Sequence, residues 1–129
     1  MEAKLHHKRP KHLNLFKITQ PLPAVVSILH RISGVLLFFP GIPLLLCGLH
    51  MSLQSPESFE VLQSYLRQPA IKLVALLPLW FLFHHLCAGI RHLFLDLHIG
   101  VALPQARASS KFVFVAGFIL TMLTGLLLW

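Results

Sequence analysis

Charge is what this sequence has least of. Of its 129 residues only 12% are charged, while 56% are hydrophobic. That charged share is about half the roughly 25% usual in soluble globular domains, which argues against a soluble core protein of this size. Cysteine is nearly absent: Cys47 and Cys87 both fall in apolar stretches, carry no pairing signature and read as small packing residues. There is no C-x-x-C-H, which excludes covalent c-type haem attachment. The chain also lacks a cysteine cluster that would hold iron and sulfur, and a glycine-rich dinucleotide-binding turn. Internal repeats, linkers and low-complexity tracts are missing too, so a single domain over residues 1–129 is expected.

What is present is apolar length. Roughly 20 apolar residues cross the hydrocarbon layer, and three stretches reach that length. The first runs over about 24–50 with Arg31 as its one formally charged residue. The second covers about 70–97, with Lys72 at its start and Arg91 and Asp96 near its end. The third, 112–129, has no charge and closes on Trp129, a residue suited to the headgroup layer. The expected fold class is therefore an all-α membrane protein with three transmembrane helices. Pro10, Pro21 and Pro23 oppose a continuous helix before the first span, so residues 1–23 read as an interfacial segment. "PGIP", Pro40 to Pro43, predicts a kink within the first span. Between the first two spans, Ser55 can cap a short helix that Pro56 begins and Pro69 ends, with Phe59, Leu62 and Leu66 on one face.

The net charge of +7 invites a nucleic-acid reading that its distribution rejects. Lys4, Lys8, Arg9, Lys11 and Lys17 precede the first span, and Arg107 and Lys111 follow the second. The connection over 51–69 has Arg67 against Glu57 and Glu60. Basic residues favour the cytoplasmic side of spanning segments, so the N-terminus and the second connection are expected inside. No apolar run resembling a cleavable signal occurs in the first twenty residues. A bacterial inner membrane fits this pattern, with a processed mitochondrial inner-membrane protein as the alternative.

Two motifs place ionisable groups where hydrocarbon makes them expensive, and such groups usually mark a site. In "SILHRISG", Ser27 and Arg31 share a helical face, and His30 lies beside them. In "HHLCAGIRHLFLD", His85, Gly89, His92 and Asp96 step by four, three and four residues along one stripe. His84 and Arg91 share the neighbouring stripe. The two spans run antiparallel, so Arg31, Arg91 and His92 approach the same leaflet. His85 lies deeper, about 18 Å from Leu97 at 1.5 Å per residue. A deep imidazole with cations nearer the surface suits a non-covalent haem b, its carboxylates turned toward water and the arginines. A bare Gly89 would let a flat ring pack against the helix. Two readings compete with this one: a structural cluster of hydrogen-bonded histidines around a snorkelling Arg31, and metal transport, for which a second intramembrane carboxylate is lacking. Both axial ligands of a haem could come from His30 and His85, but their counted depths differ. Three helices are also too few to enclose a haem, so a partner membrane protein is expected.

These residues together resemble the larger membrane-anchor subunits of bacterial succinate dehydrogenases, the cytochrome b556 subunits. The resemblance covers nearly the whole chain, from "RPKHLNLF" through S-x-x-H-R-x-S-G, "SPESFE" and H-x-x-x-G-x-R-H-x-x-x-D to Trp129. It implies a chain that pairs with a second small membrane-anchor subunit around one haem b, docked to an iron–sulfur subunit and a flavoprotein subunit. It implies His85 as the axial ligand of the haem iron, by the register of H-x-x-x-G, with the adjacent His84 as an extra candidate. It implies Ser27 and Arg31 as quinone-binding residues, with His30, Arg31 and His92 as neighbours of the haem. Ser27 would donate to a ubiquinone carbonyl, and Arg31 would stabilise negative charge developing there. No succinate-oxidising site is expected on this chain. A fumarate reductase-type anchor and a cofactor-free membrane scaffold are the alternatives.

Overall fold

The computed structural model describes residues 18–129. Residues 1–17, which include the first five lysines and arginines and the "RPKHLNLF" motif, lie outside the described residues. From there the chain is helical almost throughout: α1 (Leu22–Leu36), a π turn (Leu37–Gly41), α2 (Ile42–Gln54), α3 (Pro56–Leu66), α4 (Pro69–Asp96) and α5 (Leu103–Leu128). The described residues form no strand. Three continuous helical stretches are long and apolar enough to cross a membrane: Leu22–Gln54, Pro69–Asp96 and Leu103–Leu128.

Proline sets the starts of these helices. α1, α3, α4 and α5 each carry one in their first two positions, where the missing N–H would have had no helical partner. The prolines of "PGIP" do not break the first span. Pro40 sits inside the π turn and Pro43 near the start of α2, and the widened turn accommodates the lost donor. Ser55 caps α3 reciprocally: its hydroxyl accepts from the Ser58 N–H at 3.2 Å, and the Ser58 hydroxyl accepts from the Ser55 N–H at 3.1 Å. α4 stops because His98 adopts a left-handed φ of 60°. The Ile99 N–H then reaches the Phe94 carbonyl and the His98 N–H the Leu95 carbonyl, both at 2.9 Å, which satisfies two terminal acceptors.

The packed centre is small and partly polar. Val26, Ala88 and Val113 are its buried apolar residues, beside buried Ser33, His84, Arg91, Ser110 and Thr121. Small residues at helix seams are how membrane helices approach closely without a hydrophobic driving force. Along α5, a Cβ on Gly117 would stand only 3.4 Å from the backbone of His84. Ser110 and Thr121 bond back to Ala106 and Gly117 carbonyls at 2.7 Å, so neither hydroxyl is left unsatisfied at the seam. Outside, the surface is apolar, with Phe38, Phe39, Leu44, Leu45 and Leu127 all more than 60% exposed. Water would penalise such a surface, and lipid or a partner helix accepts it.

Candidate functional site

α4 directs its two ionisable stripes to different neighbours. His85, Gly89 and His92 face α1, whereas His84 and Arg91 face α5, and Ala88 is buried in the cluster with Val26 of α1 and Val113 of α5. The α1 face gathers three imidazoles. His30 stacks on His85 with ring centroids 4.2 Å apart and planes at 18°, and it lies 5.1 Å from His92. The bare surface of Gly89 is taken up by His30, whose Nε2 would stand 3.4 Å from a Cβ there. Hence the flat ring lying on Gly89 is the chain's own imidazole.

His30 and His85 thus lie at one level, which corrects the depth difference obtained by counting residues from each span end. Counting assumes that both spans start at one plane, and the contact requires α1 and α4 to be staggered. The stack also shows that these two rings are not a pair of axial ligands. Axial imidazoles meet a metal end-on from opposite sides, and face-to-face rings cannot. Among the described residues no three His, Cys, Asp or Glu side chains converge on a point that would hold a metal ion.

The bonding of His85 is directional. Its Nδ1 lies 3.0 Å from the His30 carbonyl and 3.1 Å from the Ser33 hydroxyl, which itself donates to that carbonyl at 2.9 Å. A carbonyl only accepts, so the proton sits on Nδ1 and the lone pair on Nε2. Nε2 makes no hydrogen bond with the described residues. An imidazole whose Nδ1–H is held by a carbonyl is the usual arrangement of a metal-ligating histidine. The ring reaches this place because Gly34 has no side chain: a Cβ there would stand 2.9 Å from Cε1. The residues present therefore fit a haem whose iron is held by His85.

His84 behaves otherwise. It is fully buried, stacked on Trp80 at 5.2 Å and tilted against Phe114 at 5.3 Å, and neither ring nitrogen has a hydrogen-bond partner. Its backbone is pressed on Gly117, which leaves no room for a large ring on that side. Arg91 is only 7% exposed and is committed to α5, donating to the Ser109 hydroxyl at 3.0 Å and the Ala106 carbonyl at 3.5 Å. The expectation that Arg91 faces the carboxylates of a bound haem is corrected accordingly. A guanidinium in hydrocarbon takes the nearest acceptors, and α5 supplies them.

Ser27 and Arg31 lie on a neighbouring stripe of α1, beside His30. Arg31 is exposed and Ser27 half-buried, and on α1 they lie about 100° and 60° round from His30, on the same side of it. Asp96, at the end of the α1-facing stripe, is exposed. Sequence reasoning missed Ser33 and Gly34, the two residues that receive His85. Both close the S-x-x-H-R-x-S-G motif, and the signal was Ser33 one turn beyond His30. A cavity of about 550 Å³ opens at the other end of the bundle between the start of α4 and the end of α5, and none of these histidines lines it.

Comparison with known proteins identifies the family of the chain. Residues 6–124 match the family described as "Succinate dehydrogenase/Fumarate reductase transmembrane subunit". The chain is 42% identical over 126 residues to the succinate dehydrogenase cytochrome b556 subunit of Coxiella burnetii, covering 97% of this chain and 100% of that one. The same-named subunit of Paracoccus denitrificans is 34% identical over 113 residues, 88% of this chain and 85% of its own. The mitochondrial succinate dehydrogenase cytochrome b560 subunit of Dictyostelium discoideum is 34% identical over 105 residues, covering 78% of this chain and 51% of that one.

Proposed function

Because this chain belongs to the succinate dehydrogenase/fumarate reductase transmembrane subunit family, we propose that it binds haem b and helps form the site that reduces ubiquinone. In this reading it is the larger of two small anchor subunits, and the haem is shared with the second. The iron–sulfur and flavoprotein subunits dock on the inner face, the side of the connection after α4. The three apolar helices and the bacterial relatives make this a multi-pass protein of the inner membrane. The basic residues before α1 and after α4 support the orientation. A partner subunit would supply the other ligand of the iron.

The observation that carries the haem reading is the anchored imidazole of His85, with Nδ1 held and Nε2 uncommitted. When bound, a b-type haem supplies reversible one-electron transfer between helices. The chain's own residues hold the iron (His85) and flank the ligand (His30 and His92). His30, His92 and Arg31 supply donors and charge for the haem carboxylates. Arg31 and Ser27 together present a permanent cation and a hydroxyl donor on one side of α1. A quinone head has two carbonyls that gain protons on reduction. The Ser27 hydroxyl donates to one of them, and the Arg31 charge stabilises the negative charge that develops there. Electrons come from the iron–sulfur subunit on the same side, so the chain needs no succinate-oxidising residues of its own.

A reduced-minus-oxidised absorbance spectrum of the purified complex, with succinate as reductant, tests this reading. A sharp b-type α band accompanied by flavin and iron–sulfur subunits is expected. An intact complex without haem would return the histidines to structural packing and favour a cofactor-free scaffold.

A further inference from the structure

We propose that Ser33 is a positioning residue for the iron ligand: with the His30 carbonyl it forms a two-oxygen seat that fixes the ring plane and tautomer of His85, in a recess that only glycine at position 34 leaves open. The inference rests on the reading of His85 as the axial ligand and extends it to residues with no assigned part in the site.

Ser33 is fully buried, so its hydroxyl is paid for only if it is used. It donates to the His30 carbonyl at 2.9 Å and stands 3.1 Å from His85 Nδ1, while that carbonyl stands 3.0 Å from the same nitrogen. The Nδ1–H is therefore shared between two acceptors contributed by one turn of α1. A serine whose role ended with its own helix would need only the carbonyl, since such back-bonding satisfies a buried hydroxyl without any partner on another helix. The second contact crosses to α4. A single acceptor would leave the ring able to swing about its Cβ–Cγ bond, whereas two acceptors and the contact at Gly34 define a plane. Stacking of His30 on the ring at 4.2 Å closes the remaining side. Electron density pushed toward the ring by Nδ1–H acceptors makes Nε2 a stronger donor to iron and favours the ferric state.

The test uses the assembled four-subunit complex with Ser33→Ala and Ser33→Thr variants. Three properties are read: haem per flavin, the midpoint potential of the haem, and the low-spin ferric g values by electron paramagnetic resonance. Ser33→Ala is expected to raise the midpoint potential and shift the largest g value, or to lose haem from a complex that still oxidises succinate with a dye. Ser33→Thr, which keeps the hydroxyl, is expected to stay at the wild-type values. An unchanged potential and g tensor in Ser33→Ala would overturn the proposal, as would equal shifts in both variants, which would assign the effect to packing. His85→Leu in the same complex separates the two readings. If that variant keeps the native spectrum, the ligand assignment itself fails. If it loses the low-spin signal while Ser33→Ala changes nothing, only the positioning role fails.

Discussion

The two faces of α4 carry similar residues and use them in opposite ways. Toward α5, His84 and Arg91 are buried among close-packed neighbours; Arg91 is bonded and His84 is simply enclosed. Toward α1, His85 and His92 are half-buried beside a third imidazole, that of His30, and one ring nitrogen of His85 is held while the other stays uncommitted. Composition does not separate these faces, since each offers imidazole and a nearby cation. Neighbouring glycines do. Gly117 brings the α5 backbone against that of His84 and closes the seam, whereas Gly34 and Gly89 admit imidazole rings and keep the other face chemical. In a membrane, a small residue can seal an interface or furnish a recess, and the side chain opposite decides which.

This contrast can be strained in several ways. The largest effect is expected from Arg31→Leu on the exposed face of α1. Quinone reduction by the complex should fall by 10²-fold or more, on the order of a lost oxyanion donor, while succinate oxidation with an artificial dye survives. Parallel assays of the two activities measure it, and equal loss of both would remove Arg31 from the quinone site. Next is Gly117→Val, which drives a branched side chain into the His84 backbone. Overpacking of this kind costs about 1–3 kcal/mol, so the thermal midpoint of the complex should drop, with the haem spectrum of the surviving fraction unchanged.

His84→Leu should do less. It exchanges a buried imidazole packed against Trp80 and Phe114 for an apolar side chain of similar bulk, a swap that usually costs under about 1.5 kcal/mol. Thermal stability should change little, and a marked loss would show that His84 has a polar task. The smallest effect is assigned to Ser55→Ala, which deletes one half of a reciprocal cap. About 1 kcal/mol of local helix stability is lost. Hydrogen exchange should then quicken in Pro56–Leu66 while haem and activity stay as they were.

Most of the architecture was legible in the chain. The three spans follow from apolar length alone, and the proline that begins α3 and the serine that caps it were readable by position. α5 starts at Leu103, earlier than its purely apolar stretch, and takes in Pro104, Arg107, Ser109, Ser110 and Lys111 before that stretch begins. A hydropathy reading registers only the apolar part. The stripes of α4 were also visible as spacing, but their partners were not. Periodicity gives the angle between His84 and His85; it does not say which neighbour stands at each angle. Depth failed for a similar reason. The level at which His30 meets His85 depends on the stagger of two helices, and no single helix encodes that quantity. Ser33 was hidden by its commonness, since its role exists only once α4 is laid against α1.

The central claim is that the α1-facing stripe holds the iron and the α5-facing stripe holds the fold. The most direct measurement compares His85→Leu and His84→Leu in the assembled complex by reduced-minus-oxidised spectroscopy and low-temperature electron paramagnetic resonance. The account predicts that His85→Leu loses the native low-spin b-type signal and that His84→Leu keeps it. A native signal in His85→Leu together with its loss in His84→Leu would exchange the roles of the two faces and contradict the account.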